Sequence, residues 1–97
     1  MPYVMQHIST RRIYTCRLVN LYGLAYYGVK FWNEREVAEE QMLQVLQSEK
    51  ILDTKEWSII ELEEGEMKLC NVKLKNDPEL LVFWGEARKP TIQRLGN

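Results

Sequence analysis

Histidine and cysteine, which serve most often as bases, nucleophiles and metal ligands, are nearly missing from the 97-residue chain. The only histidine is His7, and the two cysteines are Cys16 and Cys70. A zinc site needs about four ligands, which these three distant residues do not supply. We therefore predict no metal and no other cofactor. Both cysteines are expected to be small apolar core residues rather than partners in a disulfide.

Motifs for catalysis are missing as well. Acyl transfer needs a nucleophile beside a base, and His7 lies in a poorly patterned stretch, residues 1–10, where an exposed or loosely packed side chain is expected. No serine lies in a Gly-x-Ser-x-Gly turn, and the glycines never have a phosphate-binding spacing. Fourteen carboxylates offer many pairs for carboxylate chemistry, but helix caps and surface strands account for the acids of residues 34–40 and 61–66. We predict that the protein is not an enzyme, and a small carboxylate enzyme is the most distant hypothesis.

Long hydrophobic runs are absent too. The longest contain four or five residues, so no segment predicts a bilayer-spanning helix. The first residues show no basic head followed by an apolar stretch, so no secretory signal is predicted. We therefore expect a cytoplasmic protein without a membrane partner.

What the chain does have is charge sorted by position. Residues 1–33 carry four bases and no carboxylate, residues 34–66 carry eleven acids and three bases, and residues 67–97 carry six bases and three acids. The segment charges are +4, −8 and +3, and the near-neutral total of −1 conceals them. Such polarity affects partners and association rather than the fold.

The segment from Arg11 to Trp32 predicts a β-hairpin with a four-residue loop, residues 20–23, closed by Gly23. In this register one face is apolar, and the other places Arg17 opposite Tyr26 and Arg11 opposite Trp32. We name this second face the basic-aromatic face; its residues are Arg11, Arg17, Tyr26, Lys30 and Trp32.

An amphipathic helix of about four turns is predicted next, ending near Glu49. Asn33 is the expected N-cap, with Glu36 at the reciprocal position of a capping box. Apolar residues share one side of this helix, in an arc of about 100°; they are Ala38, Met42, Val45 and Leu46.

The second half predicts strands only. Residues 56–62 and 67–75 suggest a hairpin around Glu64 and Gly65, and residues 80–84 form a continuous apolar run typical of a strand covered on both faces. The predicted fold is α+β, a mostly antiparallel sheet of about five strands in the order β-β-α-β-β-β, with one helix on one face. Residues 11–86 are the predicted domain, and residues 87–97 are a predicted mobile tail.

Two surfaces are candidates for binding. The basic-aromatic face could hold single-stranded nucleic acid through phosphate attraction and base stacking, or its residues could simply form cross-strand cation–π pairs. An acidic surface could dock on a basic partner, or it could be a solvated edge that discourages aggregation. The acidic surface comprises Glu56, Glu61, Glu63, Glu64 and Glu66.

Our preferred hypothesis is a small non-enzymatic binding module whose partner is another protein, because Tyr, Trp and Arg concentrate in one hairpin and anchor interfaces disproportionately. An accessory subunit, or a phage-type host-interaction or inhibitor protein, fits this description. Nucleic-acid binding is the alternative hypothesis. A homodimer is a further one, since the positive hairpin of one copy could face the negative segment of another.

Overall fold

The computed structural model describes residues 1–96, which form seven strands and two α-helices around antiparallel pairings. The predicted α+β class with mostly antiparallel sheet is confirmed. The strands lie in three small sheets rather than in one sheet of about five, and there is a second helix. The elements are β1 (Tyr3–His7), β2 (Thr15–Val19), β3 (Ala25–Val29), β4 (Phe31–Trp32), α1 (Arg35–Ser48), β5 (Trp57–Glu61), α2 (Glu64–Leu74), β6 (Leu80–Trp84) and β7 (Pro90–Arg94), with a 3-10 turn at Thr54–Glu56.

Strand β1 is the middle strand of the largest sheet, between β4 and β5. It lies in residues 1–10, the stretch in which the sequence shows no clear pattern. Val4 and Met5 are both fully buried and belong to different hydrophobic clusters, so both faces of the strand are covered. A strand covered on both faces lacks the alternation of apolar and polar residues, which explains why the sequence gives so little indication of it.

The two hydrophobic clusters form the core. The first consists of Val4, Ile13, Tyr27, Val29, Leu62, Met67, Cys70, Leu74, Leu80, Val82 and Trp84. The second consists of Met5, Tyr14, Trp32, Ala38, Leu46 and Trp57. Helix α2 contributes to the first cluster and packs on β3, β6 and β7, whereas α1 contributes to the second and packs on the three-stranded sheet of β4, β1 and β5. Cys70 is buried and Cys16 half-buried, and both thiols are free; burial raises the pKa of Cys70 to about 11.

The β2–β3 hairpin exists, but the predicted register is wrong by one residue. Arg17 is opposite Tyr27, not Tyr26. Asn20 and Leu24 close a three-residue loop: the Asn20 N–H donates to the Leu24 carbonyl (2.9 Å), and the Gly23 N–H donates to the Asn20 carbonyl (3.0 Å). Gly23 has φ +77°, the left-handed conformation that such a loop places at its last residue.

Helix α1 is confirmed, with buried Ala38 and Leu46 on its inner side. The predicted cap is wrong. Glu34, not Asn33, is the N-cap residue, and its side chain makes no capping hydrogen bond. The helix therefore begins without the capping box that the sequence suggests, and burial of its apolar side stabilises it instead.

The predicted second hairpin is also wrong, because residues 64–74 form α2. The Glu66 carboxylate accepts a hydrogen bond from the Glu63 N–H (2.8 Å), as in a capping box. Met67, Cys70 and Leu74 are buried at helical spacing. This helical spacing is present in the sequence, but Cys70, Val72 and Leu74 also alternate as the apolar residues of a strand do.

Strand β7 lies within the stretch for which the sequence predicts a mobile tail. It pairs with β6, with Ile92 opposite Val82, and Ile92 packs against the first hydrophobic cluster. Arg94 also contacts two acids, Asp77 (3.5 Å) and Glu79 (3.2 Å). Asn97, the last residue of the predicted tail, lies outside the described residues.

Replacing Gly28 by alanine should lower the free energy of unfolding by about 1–3 kcal/mol, as overpacking does elsewhere. The new Cβ would lie 2.7 Å from the Asn71 side-chain oxygen, which already accepts the Val29 N–H. Gly65→Ala is the matched control, because nothing lies within 4 Å of its Cβ position and alanine favours a helix. Chemical denaturation measures both; equal stability of the two variants would contradict this packing.

Candidate functional site

The most exposed apolar group of the structure lies at the end of the β2–β3 hairpin. We define the hairpin tip as Val19, Leu21, Tyr22 and Leu24. Their exposed fractions run from 64% at Leu24 to 102% at Leu21. Single exposed apolar residues are common on protein surfaces, whereas a contiguous group of them marks an interaction site.

The loop that carries the hairpin tip is held in one conformation by Asn20. Its side-chain oxygen accepts hydrogen bonds from the backbone N–H groups of Tyr22 (2.9 Å) and Leu24 (3.0 Å). The backbone bonds between Asn20 and its partners Leu24 and Gly23 add to these. The apolar side chains are therefore held on an ordered loop while they remain exposed to solvent.

The other end of the hairpin is fixed to the body of the protein by two side-chain amides. Asn71 of α2 accepts the Val29 N–H (2.9 Å), and Asn76, just after α2, accepts the Tyr27 N–H (2.6 Å). The Tyr27 hydroxyl also bonds to the buried Thr15 hydroxyl. These contacts replace the strand partner that β3 lacks on this side within residues 1–96.

The predicted basic-aromatic face is not assembled as the sequence suggests. Trp32 is only 7% exposed, pairs with Tyr3 of β1 rather than with Arg11, and donates its ring N–H to Gln41 (2.8 Å). The Lys30 ammonium lies 5.3 Å from the centre of the Trp32 ring. This pair is therefore a packing contact over a buried ring.

The other three residues of the basic-aromatic face lie apart from that pair. Arg17 is exposed on β2, and Tyr26 is half-buried on β3. Arg11 lies beyond β1 with φ +70° and forms an ion pair with Glu86 (3.5 Å). Arg17 and Tyr26 thus remain near the hairpin tip, whereas Arg11 belongs to the turn beside β6.

The acidic surface is split between three elements. Glu56 ends the 3-10 turn, Glu61 ends β5, and Glu63 and Glu64 begin α2; these four are exposed. Glu66 is different, because the Arg88 guanidinium donates two hydrogen bonds to its carboxylate. Those bonds hold the pKa of Glu66 below its usual value. One of the five predicted acids is therefore already neutralised by a base.

A cavity of about 430 Å³ lies on another side of the protein, between β1, β6 and the chain after α1. The sequence gives no direct indication of it, because its walls come from three separate segments, residues 7–12, 51–57 and 81–83. The lining residues are His7, Thr10, Arg12, Ile51, Asp53, Trp57, Leu81 and Phe83.

His7 lines this cavity and is well packed, so the expectation of an exposed or loose side chain is wrong. Its side chain is 13% exposed and meets the Trp57 ring edge to face at 5.2 Å. Its Nε2 lies 2.9 Å from an Asp53 carboxylate oxygen. This hydrogen bond from His7 holds the pKa of Asp53 below its usual value.

Ser9, His7 and Asp53 form a chain of hydrogen bonds with the residue types of a catalytic triad. The Ser9 hydroxyl lies 3.3 Å from His7 Nδ1. That nitrogen also accepts the Thr10 backbone N–H (3.2 Å), which requires the neutral ring to carry its proton on Nε2. The lone pair that would take a proton from Ser9 is thus shared with a backbone amide, and the arrangement orients the His7 ring.

Neither a metal centre nor a membrane-crossing helix is found in residues 1–96. No group of three or more His, Cys, Asp or Glu residues there could hold a metal ion. Within the same range, neither helix combines the length and the apolar character that a membrane crossing requires.

Fold and surface together define a small α+β protein with an ordered, exposed apolar hairpin tip and a separate cavity beside His7. Comparison of the chain with protein-family models, with curated proteins and with solved structures finds no match. The function therefore has to be inferred from these two surfaces.

Proposed function

We propose that the protein is a small non-enzymatic binding module that contacts a partner protein through the hairpin tip. The observation that supports this proposal is the exposure of four large apolar side chains within six residues of one loop. Burial of such side chains in a partner removes apolar surface from water, at about 25 cal/mol per Å². Tyr22 adds the residue type that anchors protein interfaces most often, together with Trp and Arg.

The order of the loop also favours a binding role. Association costs free energy when flexible side chains and loops become fixed. Asn20 already fixes the backbone of this loop through its hydrogen bonds to Tyr22 and Leu24, so less order has to be gained on binding. Arg17, exposed on β2 next to the tip, suits a partner pocket that has an acidic rim.

Nucleic-acid binding receives less support from the structure. Stacking needs an accessible ring, and Trp32 is buried beneath Lys30. The arginine beside it in the predicted register, Arg11, lies elsewhere and contacts Glu86. Arg17 and Tyr26 alone form a small surface for a phosphate backbone, which binders usually meet with a larger basic excess.

Replacing both Leu21 and Tyr22 by serine should abolish partner binding without unfolding the protein. Truncation of one central anchor typically costs about 2 kcal/mol or more, or roughly thirtyfold in affinity. The immobilised protein and its variants would be used to capture partners from lysate of the source cells. The captured protein would then be purified, and its affinity for each variant measured by calorimetry.

Leu52→Ser is the matched control, because Leu52 is 95% exposed but lies in the chain between α1 and β5. It should leave the affinity unchanged. The proposal fails if the double variant binds as tightly as the natural sequence, or if only Leu52→Ser weakens binding. Salt-sensitive binding of oligonucleotides would instead support the nucleic-acid hypothesis, and self-association abolished by the double variant would identify a second copy as the partner.

A further inference from the structure

Arg12 lies in an unusual environment, between the cavity beside His7 and a second groove next to β2. Its backbone bridges to Phe83 of β6, which fixes where its side chain begins. The side chain is half-buried, and its Nε is buried and has no hydrogen-bond partner within residues 1–96. A buried donor without a partner destabilises the fold, and more so when the group is charged, so such donors are rare and need an explanation.

No carboxylate within residues 1–96 forms an ion pair with Arg12. The arginine ion pairs in that range involve Arg11, Arg35, Arg88 and Arg94. Asp53 lines the same cavity as Arg12, but its oxygens lie 2.9 Å from His7 Nε2 and 3.4 Å from Trp57 Nε1. The acid that lines this cavity with Arg12 is therefore committed to other donors.

The remaining walls are apolar and partly aromatic. Trp57 and Phe83 supply rings, and Ile51 and Leu81 supply aliphatic side chains. The Trp57 ring is held in place by edge contacts with His7 (5.2 Å) and Tyr14 (5.9 Å). An apolar cavity of about 430 Å³ with a few placed polar groups is typical of a site for a small molecule.

From these observations we propose that the cavity binds a small organic acid. Its carboxylate would accept hydrogen bonds from the Arg12 guanidinium, and its planar apolar body would lie against the half-buried ring of Phe83, with Trp57 also lining the cavity. Arginine suits this role because its fixed fork of donors matches a carboxylate. This site is independent of the hairpin tip and goes beyond the proposed protein-binding function.

The charges of the cavity favour a carboxylate over a phosphate ester. Only one arginine lines the cavity, and the Asp53 carboxylate lies in the same wall. A doubly charged phosphate would be repelled by Asp53 more strongly than a single negative charge would be. We therefore expect an aryl carboxylate to bind more tightly than an aryl phosphate of similar size.

Cinnamate is a suitable probe, and cinnamamide is its neutral counterpart of the same shape. In an NMR titration at constant ionic strength, cinnamate should shift the indole N–H signal of Trp57 and the backbone N–H of Thr10. Cinnamamide should bind at least about tenfold more weakly, because it offers Arg12 no charged acceptor. Phenyl phosphate should also bind more weakly than cinnamate, because Asp53 repels its larger negative charge more strongly.

Arg12→Gln should weaken cinnamate binding at least about tenfold and leave cinnamamide binding unchanged. Arg17→Gln is the matched control, because Arg17 lies outside this cavity and its loss should have no effect. If Arg12→Gln does not fold, Arg12→Lys retains the charge without the fork of donors and should give a smaller loss. The proposal is overturned if cinnamate leaves the Trp57 signal unmoved at millimolar concentration, if cinnamamide binds equally well, or if Arg12→Gln binds cinnamate as tightly as the natural sequence.

Discussion

Leu74→Ala should lower the free energy of unfolding by about 2–5 kcal/mol, the range found when a fully buried leucine is truncated. Leu74 is 0% exposed in the last turn of α2 and belongs to the first hydrophobic cluster, beside Met67 and Cys70. Truncation removes apolar contacts and leaves a cavity that the surrounding strands can only partly fill. Denaturant unfolding followed by circular dichroism measures the change.

Val72→Ala is the control, and it also tests the structure of residues 64–74. In a strand, Val72 and Leu74 would point to the same face, because side chains alternate with a period of two. In a helix they diverge, and Val72 is indeed 68% exposed. We therefore expect Val72→Ala to change the stability by at most about 0.5 kcal/mol. Equal losses for both variants would support the strand and contradict α2.

The contrast between the two helices shows which parts of the fold can be predicted from the sequence. In α1, the buried residues Ala38 and Leu46 follow Glu36, the acid of the first turn, and no alternating pattern competes. In α2, Cys70, Val72 and Leu74 also alternate as in a strand, and Gly65 is a residue typical of a hairpin turn. The sequence signal for this helix was Glu66, which follows the N-cap residue Glu63 by three positions. Its carboxylate accepts the Glu63 N–H.

The hairpin could be located from the sequence, but its register could not. A three-residue and a four-residue loop use the same glycine, Gly23, and differ only in whether Asn20 pairs with Leu24. That choice depends on hydrogen bonds within the loop, which composition does not reveal. A shift of one residue exchanges the faces of a strand. Arg17 is therefore opposite Tyr27 rather than the predicted Tyr26.

The hairpin tip and the cavity also differ in how far the sequence alone could predict them. The residues of the hairpin tip lie within six positions of the chain, so the sequence could indicate the hairpin that carries them, although the residues it predicts for binding there are Arg17 and Tyr26. The cavity combines His7 and Arg12 with Asp53 and Phe83, which only pairing between distant strands brings together. The burial of Arg12 Nε without a partner in residues 1–96 also results from packing between distant segments, so the local sequence could not predict it.

Removing the two amides that hold β3 should have the second large effect. Asn71→Ala and Asn76→Gly would leave the N–H groups of Val29 and Tyr27 without their acceptors. An unsatisfied buried donor costs about 1–3 kcal/mol, so the double variant should lose about 2–5 kcal/mol. Hydrogen exchange at the Val29 and Tyr27 amides should accelerate beyond the change seen for the rest of the core.

The substitutions are chosen so that backbone effects do not account for the loss. Alanine is a better helix former than asparagine at position 71, and glycine tolerates the φ of +56° found at Asn76. Asn71→Asp keeps an acceptor oxygen and should retain most of the stability. A double variant as stable as the natural sequence would show that α2 does not hold the hairpin. If the loss is found, Asn71 of α2 and Asn76 just after α2 fix the hairpin to the body of the protein. Partner affinity should then fall in the same variant, although the residues of the hairpin tip are unchanged.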